Sequence, residues 1–120
     1  MTIESMLTAR HRQISNDSLS ELQQVLTQHP AVMLLFGAPS CGVCQSIKPR
    51  LAAMLSDDFP KIKFIYIDCV AQPDIAASHN VFALPVVELY FQGQAFGRFS
   101  KVFSMVDVKE AIARPYGLLD

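Results

Sequence analysis

The residues in this chain with the clearest capacity for chemistry are two cysteines two positions apart, in the sequence Cys41-Gly42-Val43-Cys44. They stand where an apolar run gives way to a helical pattern of apolar residues. A helix N-terminus offers free N–H groups and a partial positive charge, which favour a thiolate over a thiol. Two intervening residues place Cys44 about one helical turn beyond Cys41, near enough to close a disulfide. The pattern predicts reversible dithiol–disulfide exchange, with Cys41 as the nucleophile and Cys44 as the resolving thiol.

Other interpretations of the same pair remain open. The two cysteines could form half of a zinc site, although Cys69 stands alone and His11, His29 and His79 lack the spacing of metal ligands. Two copies of the chain could supply four thiolates to a metal or cluster, or the pair could be inert in a domain kept for binding. Cys69 is interpreted as a partly buried apolar residue at a strand end, and the histidines as surface or loop residues. We expect no metal site and no bound cofactor.

Composition limits the remaining function classes. A chain of 120 residues, 51% of them hydrophobic, is enough for one core, so a single domain spanning residues 1–120 is predicted. The net charge is −1 and the basic residues are scattered, which argues against nucleic acid and anionic membranes as partners. The longest apolar run, residues 31–36, is far shorter than the ~20 residues that cross a bilayer. Three cysteines do not form the even framework of a secreted, disulfide-stapled protein, so a cytoplasmic protein is expected.

Helical and strand patterns alternate along the chain, which predicts an α/β fold built on a central sheet. The first helix is predicted to open at the capping pair Ser18 and Glu21 and to end before Pro30. Ala31 to Phe36 has no polar alternation and is predicted to be a strand buried on both faces. The other predicted elements of this half are a short strand near residues 12–14, a helix from the cysteine pair to just before residue 60, a strand at 62–67 and a short helix at 74–78.

The C-terminal part predicts a hairpin and a last helix. Strands at residues 86–91 and 95–99 flank a short connection containing Gly93, and this hairpin is expected as an added edge of the sheet. Ser104 and Asp107 have the spacing of a helix cap, and the helix that follows is expected to lie before Pro115. The aromatic residues interpreted as core or sheet-face residues are Phe64, Tyr66, Phe82, Phe91, Phe96 and Phe99.

Three further motifs accompany the cysteine pair. Pro49 follows Cys44 by five positions, Tyr66-Ile67-Asp68 ends a strand, and Ala83-Leu84-Pro85-Val86 precedes the hairpin. Together they resemble the thioredoxin family over residues 13–113, matching its helix proline, its Asn-Ile-Asp and its Gly-Ile-Pro-Thr, while Cys-Gly-Val-Cys resembles its Cys-Gly-Pro-Cys. The resemblance implies a thioredoxin-like fold, with a central mixed β-sheet flanked by helices on both faces.

The resemblance also implies an activity and a substrate surface. The activity is that of a thiol–disulfide oxidoreductase which reduces disulfide-containing protein substrates and takes electrons from a reductase or a small thiol. Pro85 would be a cis proline facing the cysteines, and an ordinary trans proline at the start of an edge strand is the alternative. The backbone of Leu84 would pair with an extended substrate segment. The implied substrate-binding residues are Ser40, Gly42, Val43, Leu84 and Pro85.

Five positions depart from the family pattern. Ser40 stands where the family has a tryptophan, Val43 where it has a proline, and Lys101 near a glycine of a substrate-facing loop. Leu35 and Phe64 replace a buried aspartate and its neighbouring lysine, and a leucine cannot act as a base toward Cys44. These departures motivate a second hypothesis, that the domain is an adaptor or chaperone-like binding module with little redox turnover.

Overall fold

The structure is a computed structural model that describes residues 15–119. Within this range the chain alternates helices and strands, as the sequence pattern predicts. The elements in order are α1 (Ser15–Gln28), β1 (Ala31–Gly37), α2 (Gly42–Asp58), β2 (Lys63–Asp68), α3 (Pro73–Ser78), β3 (Val86–Phe91), β4 (Gln94–Ser100) and α4 (Met105–Gly117). None of the helices in residues 15–119 is long and apolar enough to span a bilayer.

The four strands in this range form one mixed sheet in the order β2-β1-β3-β4. β1 runs parallel to β2 and antiparallel to β3, and β3 and β4 are antiparallel. As a result, the end of β1 lies beside the end of β2 and the start of β3, with Gly37 opposite Asp68 and Phe36 opposite Val86. The C-terminal end of β4 reaches the same end of the sheet, where Ser100 pairs with Val86. The loop that carries Cys41 therefore leaves β1 at the end of the sheet where Pro85 precedes β3.

Successive side chains of β1 point alternately into two apolar cores, one on each face of the sheet. Because both faces of the strand are buried, it has no polar residue. Val32, Leu34 and Phe36 pack with residues of α1 and α3. Met33 and Leu35 face the opposite core. That core contains Leu51 and Leu55 of α2 together with Val108 and Ile112 of α4. The predicted fold class, a mixed sheet with helices on both faces, is confirmed.

Two predicted helix limits differ from the structure. α1 begins at Ser15, so Ser18 lies inside the helix and does not open it. The Ser-x-x-Glu spacing of Ser18 and Glu21 therefore falls after the first helical residues, and spacing alone does not show whether such a pair opens a helix or lies within one. At the other end of the chain, α4 passes through Pro115 to Gly117, because a proline in the last turn removes a hydrogen bond without ending the helix. The strand predicted near residues 12–14 lies outside the described residues.

The predicted hairpin is present and forms one edge of the sheet, with β4 outermost and β3 between β4 and β1. β3 pairs with β1 on its other side and is almost entirely buried, which its apolar sequence permits. Gln92 and Gly93 form the two-residue turn with φ of 55° and 80°, the left-handed conformation of the turn that suits a twisted hairpin. The pairing is irregular between Leu89 and Tyr90, where β4 carries an extra residue at Phe96.

Candidate active site

Cys41 and Cys44 form a disulfide at the N-terminus of α2, with their Cα atoms 5.2 Å apart. Cys41 is the N-cap residue, with φ −88° and ψ 102°, and α2 begins at the next residue. The backbone N–H of Cys44 donates to Sγ of Cys41 over 3.2 Å. Cys41 is half-buried, whereas Cys44 has no exposed surface. Sγ of Cys41 therefore lies at the positive end of the helix dipole and is the more accessible of the two sulfurs.

The backbone around the pair is fixed by short-range hydrogen bonds. The N–H of Cys41 donates to the carbonyl oxygen of Ala38 over 3.0 Å, and its own carbonyl accepts from Gln45 over 3.1 Å. The first turn of α2 has no acidic residue that would oppose a thiolate. Around the disulfide, Ser40, Gly42 and Val43 are exposed, and Val43 presents 56% of its surface to solvent.

Gly37 leaves the space that allows Cys44 and Tyr66 to pack against β1. A Cβ placed on Gly37 would lie 2.9 Å from Cβ of Cys44 and 3.0 Å from both Cε1 and Oη of Tyr66. Oη of Tyr66 also accepts a hydrogen bond from the side-chain amide of Gln45 over 3.2 Å. Tyr66 thus borders the buried cysteine, a placement that its strand-end motif does not reveal, because the contact depends on a glycine in the neighbouring strand.

Leu35 and Phe64, which depart from the family pattern, lie in the same apolar core. Leu35 is fully buried among hydrophobic residues, and Phe64 packs against them while partly exposed. Neither side chain has a group that can carry a proton. Any proton lost by Cys44 must therefore pass to water or to a polar group that the sequence analysis did not select.

The Leu84–Pro85 peptide bond is cis. The carbonyl oxygen of Pro85 accepts a hydrogen bond of 2.9 Å from the N–H of Lys101, which has a φ of 64°. Pro85 is buried and Leu84 is half-buried. This hydrogen bond joins the residue after β4 to the segment that precedes β3, at the same end of the sheet as the cysteine loop.

Phe82, interpreted from the sequence as a core or sheet-face residue, is 85% exposed. It precedes Leu84 and Pro85 in an irregular segment, outside any strand, and no alternating pattern holds it in the core. Val102, after Lys101, is 94% exposed. The sequence analysis therefore missed exposed apolar side chains on two segments next to the proline.

Cys69 follows β2 and is half-buried, as predicted. Burial raises the pKa of its thiol to about 11, and the negative charge of Asp68 adds to the rise. Its backbone N–H donates to the carbonyl oxygen of Gly37 over 2.8 Å. Cys69 is therefore almost entirely protonated at neutral pH. Among residues 15–119, no three His, Cys, Asp or Glu side chains converge in a way that could hold a metal ion.

A second polar cluster involves His79, which lies in a turn after α3, within the predicted surface or loop position, and whose side chain is 11% exposed. Its Nδ1 lies 2.8 Å from Oε1 of Glu88, and the same oxygen accepts a hydrogen bond of 2.9 Å from the hydroxyl of Tyr90. The other carboxylate oxygen of Glu88, Oε2, pairs with Arg98. Burial alone would raise the pKa of the Glu88 carboxyl. The hydrogen bond and charge of His79, together with Tyr90 and Arg98, lower this pKa by a larger amount, so that the net shift is downward. Glu88 and Tyr90 are neighbours on one face of β3, but His79 and Arg98 come from other segments of the chain, so no local motif predicts the cluster.

Comparisons with known proteins agree with this geometry. The sequence model of the family described as thioredoxin matches residues 13–114. The chain is 28% identical to the thioredoxin-like protein YdfQ of Bacillus subtilis (strain 168), over 86% of this chain and 91% of that protein. It is 37% identical to thioredoxin of Oryctolagus cuniculus, over 70% of this chain and 81% of that protein.

Among solved structures, the oxidised form of mitochondrial thioredoxin 3 from Saccharomyces cerevisiae is similar to this chain. It aligns with a TM-score of 0.64 and 30% identity, over 68% of this chain and 76% of that one. The family match covers most of the chain, and the fold and the cysteine pair are both present. This chain therefore belongs to the thioredoxin family and is a thiol–disulfide oxidoreductase of that family.

Proposed function

We propose that this protein reduces disulfide bonds of other proteins, with Cys41 as the attacking thiolate and Cys44 as the resolving thiol. The observation that carries the assignment is the difference between the two sulfurs. Cys41 is half-buried and its Sγ accepts the N–H at the start of α2, whereas Cys44 is fully buried. A substrate disulfide can approach Cys41, and Cys44 can be reached only from within the site.

The reaction proceeds in two exchanges. The thiolate of Cys41 attacks one sulfur of the substrate disulfide, a mixed disulfide forms, and the other substrate sulfur leaves as a thiolate that takes a proton from water. Cys44, after losing its proton, then attacks Sγ of Cys41. The Cys41–Cys44 disulfide forms, the substrate's second sulfur leaves as a thiolate, and two electrons have passed from the protein to the substrate.

The substrate-binding surface is proposed to comprise Ser40, Gly42 and Val43 around the disulfide, together with Leu84 and Pro85. The sheet topology supports this proposal, because the start of β3 and the cysteine loop lie at the same end of the sheet. An extended substrate segment would pair with the backbone of Leu84. Ser40 contributes no apolar contact, and the exposed ring of Phe82 supplies one on the segment that leads to Leu84.

The proposed direction and location follow from redox poise. We place the protein in the cytoplasm, where the thiol pool favours reduction of protein disulfides. Electrons would return to the Cys41–Cys44 disulfide from a reductase or a small thiol by the same exchange chemistry in reverse. Neither exchange requires a bound cofactor, and the proposal includes none.

The experiment that tests this assignment is trapping of the mixed disulfide. Reduced wild-type, Cys41→Ser and Cys44→Ser proteins are mixed with insulin as the disulfide substrate, quenched with acid and an alkylating agent, and separated without reductant. Cys44→Ser is expected to accumulate a mixed disulfide at Cys41, and Cys41→Ser is expected to form none. If both single variants trap equally, the assignment of Cys41 as the attacking thiolate and Cys44 as the resolving thiol is wrong. If neither variant traps insulin and wild type binds it without reducing it, the adaptor hypothesis replaces this assignment.

A further inference from the structure

The thiol of Cys44 must lose a proton before it can resolve the mixed disulfide, yet this residue has no exposed surface. Cys44 is fully buried, and burial favours a neutral thiol over a charged thiolate. Leu35, which stands where the family has a buried aspartate, is fully buried and has no proton-carrying group. The resolving step therefore needs a polar group that faces Cys44 from another element of the fold.

Tyr66, on β2, occupies that place. Cβ of Cys44 and Oη of Tyr66 press against the same side of Gly37, at 2.9 and 3.0 Å from the position that a Cβ there would take. The ring is 7% exposed, so its orientation is set by packing. A phenol hydroxyl can donate one hydrogen bond while it accepts others, which allows it to serve a thiolate and a neighbouring donor together.

Two side chains of α2 support this hydroxyl. The amide of Gln45 donates to the carbonyl oxygen of Ala38 over 3.0 Å, and since a carbonyl oxygen can only accept, the amide nitrogen faces this side and also donates to Oη of Tyr66. Nζ of Lys48 lies 4.2 Å from the centre of the Tyr66 ring. A cation on the ring face draws electron density from the ring and makes its hydroxyl a better donor. The same positive charge, one helical turn after Cys44, also favours a thiolate there.

We propose that the hydroxyl of Tyr66 stabilises the thiolate of Cys44 by a hydrogen bond, directly or through one water, and so promotes the resolving step. In that step the proton of Cys44 passes to water, and the thiolate attacks Sγ of Cys41. The bond between Cys41 and the substrate sulfur then breaks, and the electron pair leaves with the substrate. Tyr66 is neither oxidised nor reduced, and it keeps its own proton throughout. This inference rests on the proposed roles of Cys41 and Cys44.

The test measures the ionisation of Cys44 in the reduced full-length chain. Protein labelled with carbon-13 at cysteine Cβ is titrated by NMR in a Cys41→Ser background, so that one thiol of the pair titrates alone. Cys69 serves as an internal reference, because burial raises its pKa to about 11. The variants compared are Tyr66→Phe, which keeps the ring, and Gln45→Met, which removes an exposed side chain that supports the hydroxyl. Tyr116→Phe is the matched control, since its hydroxyl accepts from Lys61 on a different part of the fold.

In Tyr66→Phe the midpoint of the Cys44 titration is expected to rise by about one pH unit, the size of one hydrogen bond to a charged group. Gln45→Met should shift it the same way by less, and Tyr116→Phe should leave it in place. With both cysteines restored, Tyr66→Phe should prolong the lifetime of the mixed disulfide about three- to fourfold at neutral pH, without slowing the first exchange. The thiolate fraction falls about tenfold, but the more basic thiolate is the better nucleophile, which offsets part of the loss.

An unchanged midpoint in Tyr66→Phe, or an equal rise in Tyr116→Phe, overturns the inference. The titration does not depend on turnover, so it can fail while the trapping experiment still supports the proposed function. Conversely, a wild-type protein that never forms a mixed disulfide would refute the proposed function whatever the titration shows.

Discussion

The close packing at Gly37 predicts a specific penalty for adding one methyl group behind the redox pair. In Gly37→Ala the new Cβ would lie 2.9 Å from Cβ of Cys44 and 3.0 Å from two atoms of the Tyr66 ring. Neither neighbour can withdraw easily, because the Cβ of Cys44 is held by its helix and disulfide and the Tyr66 ring is buried. Overpacking of this kind costs about 1–3 kcal/mol, which exceeds the benefit of replacing a strand glycine by alanine.

The measurement is thermal and denaturant unfolding of the oxidised protein. For a domain of this length, a loss of 1–3 kcal/mol corresponds to a fall in Tm of about 4–12 °C. Gly42→Ala is the control, because a Cβ there meets no heavy atom within 4 Å and the residue opens α2. Gly42→Ala should keep the wild-type Tm or raise it, because the higher helix propensity of alanine can add up to about 1 kcal/mol to the free energy of unfolding. Equal Tm values for Gly37→Ala and wild type would refute the packing on which the role of Tyr66 depends.

The remaining predictions concern the other polar groups. Because the pKa of Glu88 is lowered in the folded protein, its contribution to the free energy of unfolding is complete above about pH 4.5, the value in the unfolded chain, and is lost as the pH falls through the folded value. The free energy of unfolding, measured from pH 7 down to pH 3, should therefore fall less steeply in Glu88→Gln than in wild type. A Gln substitution at the exposed Glu110 is the control and should leave the wild-type pH dependence in place. Cys69→Ser should keep wild-type insulin reduction at pH 7, because burial raises the pKa of Cys69 to about 11, and a loss comparable to that of Cys41→Ser would contradict this. Ser104→Ala should lower the free energy of unfolding by about 1 kcal/mol, since Ser104 and Asp107 form both hydrogen bonds of a capping box. A smaller change in Ser104→Ala than in Ser104→Gly would argue against the cap.

Local patterns were sufficient for the elements that depend on local interactions. The all-apolar run at β1 predicted a strand buried on both faces, and Ser104 predicted the start of α4 by its cap spacing. The position of the cysteine pair, at the junction of β1 and α2, was also predictable, because an all-apolar strand precedes it and a helical spacing of apolar residues follows it. The β3–β4 hairpin was likewise predicted as an added edge, but the antiparallel pairing of β3 with β1 joins distant segments, and no local pattern specifies it.

The parts of the site that escaped prediction depend on contacts between distant segments. Tyr66 meets Cys44 only because Gly37 of the neighbouring strand leaves room. His79 lies in a turn, as the sequence predicts, but the pairing with Glu88 leaves its side chain only 11% exposed. Phe82 shows the reverse case, an aromatic residue that composition favours for the core and that an irregular segment leaves exposed.

The central claim, that the Cys41–Cys44 disulfide is the working redox centre, is tested most directly by an equilibrium redox titration. The purified protein is equilibrated in glutathione buffers of graded potential, free thiols are trapped by alkylation, and intact mass counts them. Wild type and Cys69→Ser should each show a single two-electron transition, and this transition should disappear in Cys41→Ser. If wild type forms no Cys41–Cys44 disulfide anywhere in the accessible range, the exchange mechanism is wrong.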